Sequence, residues 1–331
     1  MKRWSVAFLA LLLCVVCLQG CLPNNTGSAQ SSGTTTTPTA PPEYPVSVEG
    51  ITFTQAPARV VVMTPAIADA VKDLGFTAKV CGMPDDCITE DWHNVTELGD
   101  RYTLNLERLV ALRPDLILTQ SPTTELTAWA TENKVPLLCL AAPTDKSSLQ
   151  TFYTAIATAL CGKESGPPLA NNLTLQVQNA LSQTSIVLPV TEEPLKVLYM
   201  AEKEAVATGD TVWQYVWDAL GWENTAVSGE NWQIPEDMEE PDVVFCPADM
   251  VKAAEKTWRH ADVLPLDVNL ALHSGYTLSE TAELMAKTLY PDAFKSEEIT
   301  ASTSASCWAG YYRWCRGWFR FRRCKRSRHP R

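Results

Sequence analysis

The stretch from Gly99 to Gln120 restricts the fold more than any other part of this chain. Leu106, Leu109, Val110 and Leu112 recur at helical spacing, with Glu107, Arg108 and Arg113 on the other side. Arg113 precedes Pro114, whose ring disfavours helix at the residue before it, so the helix is expected to stop there. Asp115-Leu-Ile-Leu-Thr119 is a short apolar run of the kind buried in a parallel sheet. Loop, short helix and buried strand in succession predict an α/β architecture. Such a unit by itself says little about function.

The same alternation runs through the chain. Arg59-Val-Val-Val-Met63 reads as a first strand, followed by a helix with Pro65 in its first turn, which Gly75 ends. Strands are expected at 79–82 and 135–140, and helices at 125–133 and 147–161. From Lys163 to about Ile186 the pattern is one long helix, with Pro167 and Pro168 pushing its start to about 168. A second set begins with a strand at 195–200. Asp210 can cap a helix from Thr211 to Leu220, and Gly221 ends it. Pro241-Asp-Val-Val-Phe-Cys246 repeats the Pro-Asp-strand pattern of 114–119. A helix at 249–258, a strand at 263–266 and a helix at 277–289 complete the set.

Three stretches together carry a family resemblance. They are Arg59-Val-Val-Val-Met-Thr-Pro65 with its helix and Val80-Cys-Gly-Met83, the Gly99–Gln120 unit, and His273-Ser-Gly-Tyr-Thr-Leu278 ending in Leu289-Tyr-Pro-Asp-Ala-Phe294. Over about 50–294 the chain resembles the iron-siderophore and cobalamin type of substrate-binding protein, the receptor subunit of an ABC importer. The resemblance implies two Rossmann-like α/β lobes linked by a single long bridging helix, with the ligand held between them. The lobes are then 46–162 and 191–294, with the bridge at 163–190. Partners implied are a permease and its ATPase, and the expected state is a monomer.

Compartment follows from the ends. Residues 1–20 read as a signal peptide, with Lys2 and Arg3 ahead of an apolar core too short for a confident membrane span. Leu18-Gln-Gly-Cys21 resembles the bacterial lipobox, which would make Cys21 the lipidated residue, an anchor to the extracytoplasmic face of the cell membrane. A chance cysteine after an ordinary secretory signal is the alternative. The rest of 21–45 is rich in Asn, Thr, Ser, Gly and Pro and is expected to be a flexible tether.

The formal charge of −11 is uneven. Nine of the 27 Lys and Arg lie in 307–331 and two in the signal, leaving 16 against 38 acids over 22–306, a net of −22. An acidic body argues against nucleic-acid binding. Residues 295–331 fit no family pattern; aberrant sequence is the expectation and a basic aromatic tail lying on anionic lipid the alternative.

An enzyme would need a nucleophile with its base, paired acids or a metal cluster. The body holds only His93, His260 and His273, with no His-Glu-x-x-His and no Gly-x-Ser-x-Gly. Gly162-Lys-Glu-Ser fails as a phosphate loop, because Ala157 stands where a glycine is required and the segment follows a helix. Cys81, Cys87 and His93 lack a fourth ligand for zinc, and a Cys81–Cys87 disulfide in an exported protein is the preferred reading. No cofactor or resident metal is expected. A surface hydrolase and a receptor for free metal ions remain as alternatives.

In open α/β sheets the carboxyl ends of the strands face the ligand crevice. Reading off those ends gives Thr64, Pro65, Asp85, Trp92, Gln120 and Trp213 as candidate ligand residues, with Trp232 and His273 from other second-lobe loops. Arg101 and Tyr102 join them through the resemblance. A flat macrocycle or chelate offers a large π face that Trp or Tyr covers at low entropic cost. Trp129 and Trp217, inside helices, are expected in the core. With Arg101 almost alone as a cleft arginine, a neutral or weakly charged chelate such as a corrinoid is favoured over a catecholate. Haem stays open, with His93 or His273 as axial ligand. The family docks on its permease through one acid per lobe: Glu107 matches the first, and Glu236 is the nearest candidate for the second, displaced by two residues.

Overall fold

The computed structural model describes residues 43–202, 205–236, 238–266 and 273–295. The signal segment, Cys21, the tether up to residue 42 and the tail from 296 lie outside the described residues.

The body holds two separate five-stranded sheets and a small hairpin. The hairpin, β1 (Val46–Val48) and β2 (Ile51–Phe53), turns on Glu49 and Gly50, both at positive φ (45° and 78°), as a tight two-residue hairpin turn requires. The first sheet is all parallel, in the order β5 (Thr96–Glu97), β4 (Val80–Met83), β3 (Val60–Val62), β6 (Leu116–Thr119), β7 (Leu137–Cys139). Its helices are α1 (Pro65–Asp73), α2 (Leu106–Leu112), α3 (Thr124–Asn133) and α4 (Lys146–Cys161). The second sheet has parallel order β10 (Glu223–Asn224), β8 (Lys196–Glu202), β11 (Val243–Cys246), β12 (Asp262–Pro265), with β9 (Ala205–Val206) folded back antiparallel on β8. Helices α6 (Val212–Leu220) and α7 (Val251–Thr257) cover it.

Between the sheets runs α5 (Gly166–Val187), 22 residues long, and α8 (Thr277–Leu289) packs against it. Pro167 and Pro168 sit in the first turn of α5 instead of delaying its start, because the first-turn N–H groups have no intrahelical partner to lose. Ala170, Leu173, Thr174, Val177, Leu181 and Thr184 form its buried stripe at helical spacing.

The two Pro-Asp repeats perform the same local task. The Asp115 carboxylate accepts the amides of Ala58 and Arg59 at 2.8 and 2.9 Å, fastening the entry to β3. Asp242 accepts the Lys196 amide at 3.0 Å at the start of β8. Arg113 ends α2 in the left-handed region, φ 47°, immediately before Pro114.

Each sheet turns alternate residues to opposite faces. Val60, Val62, Leu116 and Leu118 of the first sheet and Val197, Tyr199, Val243 and Phe245 of the second share one continuous core with α1, α4, α5, α6 and α8. The outer faces are closed separately, by Leu109, Leu126 and Trp129 on one lobe and by Ala254 and Trp258 on the other. The lobes are therefore joined through packed apolar surface, which permits less relative motion than a bare linker.

Two expectations are corrected here. Cys81 and Cys87 are free thiols, as are Cys139, Cys161 and Cys246. Cys81 packs with the outer cluster of the first lobe and Cys87 lies in the shared core, so the sheet separates them. Asp210 does not cap α6: Thr211 holds the cap position, and the Asp210 carboxylate accepts the Thr208 hydroxyl at 2.5 Å and the Asn231 amide at 2.9 Å.

Candidate functional site

The carboxyl ends of the parallel strands define a rim of loops on each lobe. On the first, β3 runs into Met63 and Thr64 before α1. Thr64 is extended (φ −139°, ψ 148°) and occupies the cap position without capping. It is 9% exposed, and its Oγ1 is buried with no hydrogen-bond partner. Pro65 behind it is buried at the first helical position. An uncapped helix start beside an unsatisfied hydroxyl is suited to an acceptor group.

After β4 the chain makes one tight helical turn at Asp85–Cys87, which leaves Asp85 and Asp86 exposed and Cys87 buried. Gly99, at φ 82°, then turns the chain into a loop held by Asp100, whose Oδ1 accepts the amides of Tyr102 and Thr103 at 2.8 and 3.2 Å. This local bond leaves Tyr102 69% exposed. Arg101 forms an ion pair with Asp86 and lies 5.9 Å from the Tyr102 ring centroid. Asn105 caps α2 by accepting the Arg108 amide at 3.0 Å, which puts Glu107 in the first turn, exposed. After β6, Gln120 is half-buried and its carbonyl accepts the Cys139 thiol at 3.2 Å.

On the second lobe Trp232 is half-buried at φ 63°, a conformation bulky side chains rarely adopt. Thr208 accepts its amide at 3.3 Å, and its carbonyl accepts the Val206 amide at 2.8 Å. Its ring meets Tyr199 edge-on at 6.4 Å. Glu236 is exposed in a turn ahead of β11.

Three candidates sit elsewhere than a ligand surface. Trp213 is 0% exposed: it stacks between Tyr199 (5.5 Å) and Trp217 (5.1 Å) in an aromatic row that continues through Trp222 to Phe245. Helix rotation turns it inward with Val216, Trp217 and Leu220, one apolar stripe. Trp92 is 8% exposed and packs into the shared core. His273 faces α1, its Nδ1 3.6 Å from the Asp69 carboxylate and buried without a hydrogen-bond partner. Trp129 and Trp217 are core residues.

That junction is the feature the sequence reading missed. Asp69, 2% exposed, accepts the Gly275 amide and the Thr277 hydroxyl, both at 2.7 Å, and Asp73 accepts the Tyr276 amide at 2.5 Å. The Tyr153 hydroxyl donates to the Ser274 carbonyl at 2.5 Å. A lone carboxylate within Ala66-Ile-Ala-Asp-Ala-Val71 was the available signal, but it does not reveal a partner.

Two concavities stand out among the described residues, and neither lies at the rims. One of about 530 Å³ runs along α5, lined by Asp73, Gln176, Asn179, Ala180, Gln183 and Tyr276; a smaller one of about 90 Å³ adjoins it toward α8. The α5 groove is a surface feature beside the lobe junction, while the rims carry the buried Thr64 hydroxyl, the exposed Tyr102 ring and the half-buried Trp232. No group of three or more His, Cys, Asp or Glu that could hold a metal ion occurs among the described residues.

Comparison with known proteins agrees with this architecture. An uncharacterized ABC transporter substrate-binding lipoprotein, YvrC of Bacillus subtilis (strain 168), is 24% identical over 319 residues, covering 89% of this chain and all of that protein. The periplasmic haem-binding protein HutB of Vibrio cholerae superposes with a TM-score of 0.58 at 20% identity, over 70% of this chain and 99% of that one. The vitamin B12-binding protein BtuF of Vibrio cholerae gives 0.55 at 14% identity, over 72% and 98%. Residues 60–246, from the start of β3 in one sheet to the end of β11 in the other, match the periplasmic binding protein family, and the chain belongs to that family.

Proposed function

We propose that this protein is the substrate-binding subunit of an ABC importer, held by a lipid on Cys21 at the extracytoplasmic face of the membrane. It captures a metal chelate between lobes 46–162 and 191–294, which the segment 163–190 bridges, and hands it to the permease; the partner ATPase supplies the energy. One observation carries this reading: two separate sheets, each with a parallel set of strands and a loop rim, are linked by the chain through α5. That arrangement suits capture and release.

Within the rims, Tyr102 and Trp232 are the aromatic surfaces open to a flat ligand. Thr64 offers a buried hydroxyl that a ligand acceptor would satisfy. A corrinoid is the first choice, a ferric siderophore or haem next. Glu107 and Glu236, both exposed, are assigned to docking on basic permease residues; such pairs set orientation and encounter rate more than affinity.

Titration of the protein's tryptophan emission with cyanocobalamin, haemin and several ferric siderophores tests the reading. Saturation by one class is expected. Binding of none of them overturns the chelate assignment.

A further inference from the structure

We propose that Asp86 is a specificity-determining residue of the first-lobe rim: its carboxylate neutralises Arg101 and turns the site away from polyanionic chelates toward neutral ones. This rests on the receptor reading above and names the class of ligand it takes.

Among the described residues, Arg101 is the only arginine in the loops that follow the strands of either sheet. Its guanidinium is the one group there able to grip a ligand carboxylate or catecholate with a bidentate fork. Asp86 holds it in an ion pair, with the two side chains only 22% and 31% exposed. The backbone that carries each partner is tied down. Asp86 sits in a turn fastened by the Asp85 amide to the Gly99 carbonyl at 3.1 Å and by the buried Cys87. Arg101 sits in the loop that Asp100 ties down.

The surface left to a ligand is a Tyr102 ring beside a charge-cancelled pair, with the carboxylates of Asp85 and Asp100 close in sequence. An anion arriving there gains no net cation and meets like charge. A neutral ligand with a broad face loses nothing and covers the ring. Removing the negative partner alone therefore restores a cation to the rim without changing its shape, since asparagine keeps the size of aspartate.

The test compares the full-length protein with Asp86→Asn and with Asp86→Asn/Arg101→Gln, each titrated with cyanocobalamin and with a ferric tris-catecholate. The ratio of tris-catecholate to cyanocobalamin affinity is expected to rise about tenfold or more in Asp86→Asn, to shrink toward the wild-type ratio at high salt, and to fall back in the double variant. Asp86→Ser is expected to show the same gain, so the result does not hang on one fold. An unchanged ratio in both single variants, or a gain that survives loss of Arg101, overturns the role of Asp86 while leaving the receptor reading intact. If no variant and no wild-type protein binds either probe or haemin, the receptor reading itself fails and takes this role with it.

Discussion

Asp69 on α1 accepts a 2.7 Å hydrogen bond from the backbone amide of Gly275, 206 residues further along the chain. The bond ties the first lobe to the loop that follows the second sheet. Thr277 and Lys72 approach the other oxygen of the same carboxylate, at 2.7 and 3.2 Å. There is no space for a side chain at 275: a Cβ there would stand 2.5 Å from the Asp69 Oδ2. α1 thus begins at the loop rim of the first lobe with Thr64 and ends at the lobe junction with Asp69 and Asp73. The lobes are expected to shift by small rotations about a fixed seam instead of opening on a hinge.

Asp69→Ala should destabilise the fold by about 2–5 kcal/mol, because it leaves an amide, a hydroxyl and part of an ammonium unsatisfied in the interior. Gly275→Ala should act in the same direction. Denaturant unfolding reads this as a lower midpoint with little change in slope. A midpoint equal to wild type would mean that the seam is held by the apolar core alone.

Asp73 gives the seam a pH dependence. Burial pushes its carboxyl up to about 6, and the charges of Asp69 and Glu280 add to this, against the Tyr276 amide and Lys72. A folded-state value above the unfolded one favours the protonated form in the fold. The contribution is complete below about pH 3.9 and is lost as pH rises through about 6. Asp69 behaves oppositely: burial opposes its ionisation most, yet His273, Lys72 and Thr277 hold it below the ordinary range. At 3.6 Å the His273 contribution is electrostatic and not a hydrogen bond. The Asp69 contribution is lost only as pH falls below the usual carboxylate range, so the two windows do not overlap. Asp73→Asn should flatten the profile between pH 4 and 6 and stabilise the protein at pH 7.5 by about 1–2 kcal/mol, a figure reduced for partial solvent screening. Thermal melts across that range decide it; parallel profiles for the two proteins would exclude Asp73 as the titrating group.

Much of the architecture can be read from local chemistry. Pro114 stops α2, Gly221 ends α6 at φ 71°, and the Pro-Asp repeats begin β6 and β11. These signals act within a few residues, so a single chain displays them. The hairpin at 46–53 escapes because its strands are three residues each and carry little pattern. The site is only half legible. Strand ends single out the loops that form each rim, but burial within a loop depends on partners far away. Trp213 stands at a helix start, where a cleft position is plausible, yet its i+3, i+4 and i+7 neighbours Val216, Trp217 and Leu220 already mark it as core. The seam has no local signature, since Asp69 and Gly275 meet only in the folded chain.

At the first of the described residues, Glu43 serves as a long-range cap. Ser165, at the start of α5, makes no cap of its own. The Glu43 carboxylate instead accepts the amides of Glu164 and Ser165 at 3.0 and 3.2 Å, and it also takes the Ser165 hydroxyl. These bonds, the Ser165 hydroxyl first and the Glu164 amide next, hold its carboxyl below the usual value. The clasp is therefore present above the ordinary carboxylate range and released as pH falls through that lowered value. Glu43→Ala should speed amide exchange at Glu164 and Ser165 by about tenfold while leaving the middle of α5 protected. Gly162→Ala should do likewise, because its Cβ would meet the Glu43 Cβ at 2.5 Å from a backbone at φ 101°. Unchanged exchange in both would mean that water caps the helix equally well.

Trp213 and Trp232 separate core from site. Trp213 has no exposed surface, and its replacement by alanine empties space between Tyr199 and Trp217. The expected effect is a loss of about 3–5 kcal/mol in unfolding free energy. Trp232 is half-buried, held by its backbone to Thr208 and Val206, and packs at the edge of the core, meeting Tyr199 edge-on. Its strained φ of 63° is kept by those backbone bonds, so Trp232→Ala leaves the loop path in place. If its ring covers one face of a bound chelate, Trp232→Ala should weaken binding by about 10- to 100-fold and change stability by no more than about 1 kcal/mol. Paired titration and denaturant curves on the two variants make the distinction. The assignment fails if Trp232→Ala unfolds as readily as Trp213→Ala while binding its chelate with wild-type affinity at low denaturant, since the ring would then serve packing alone.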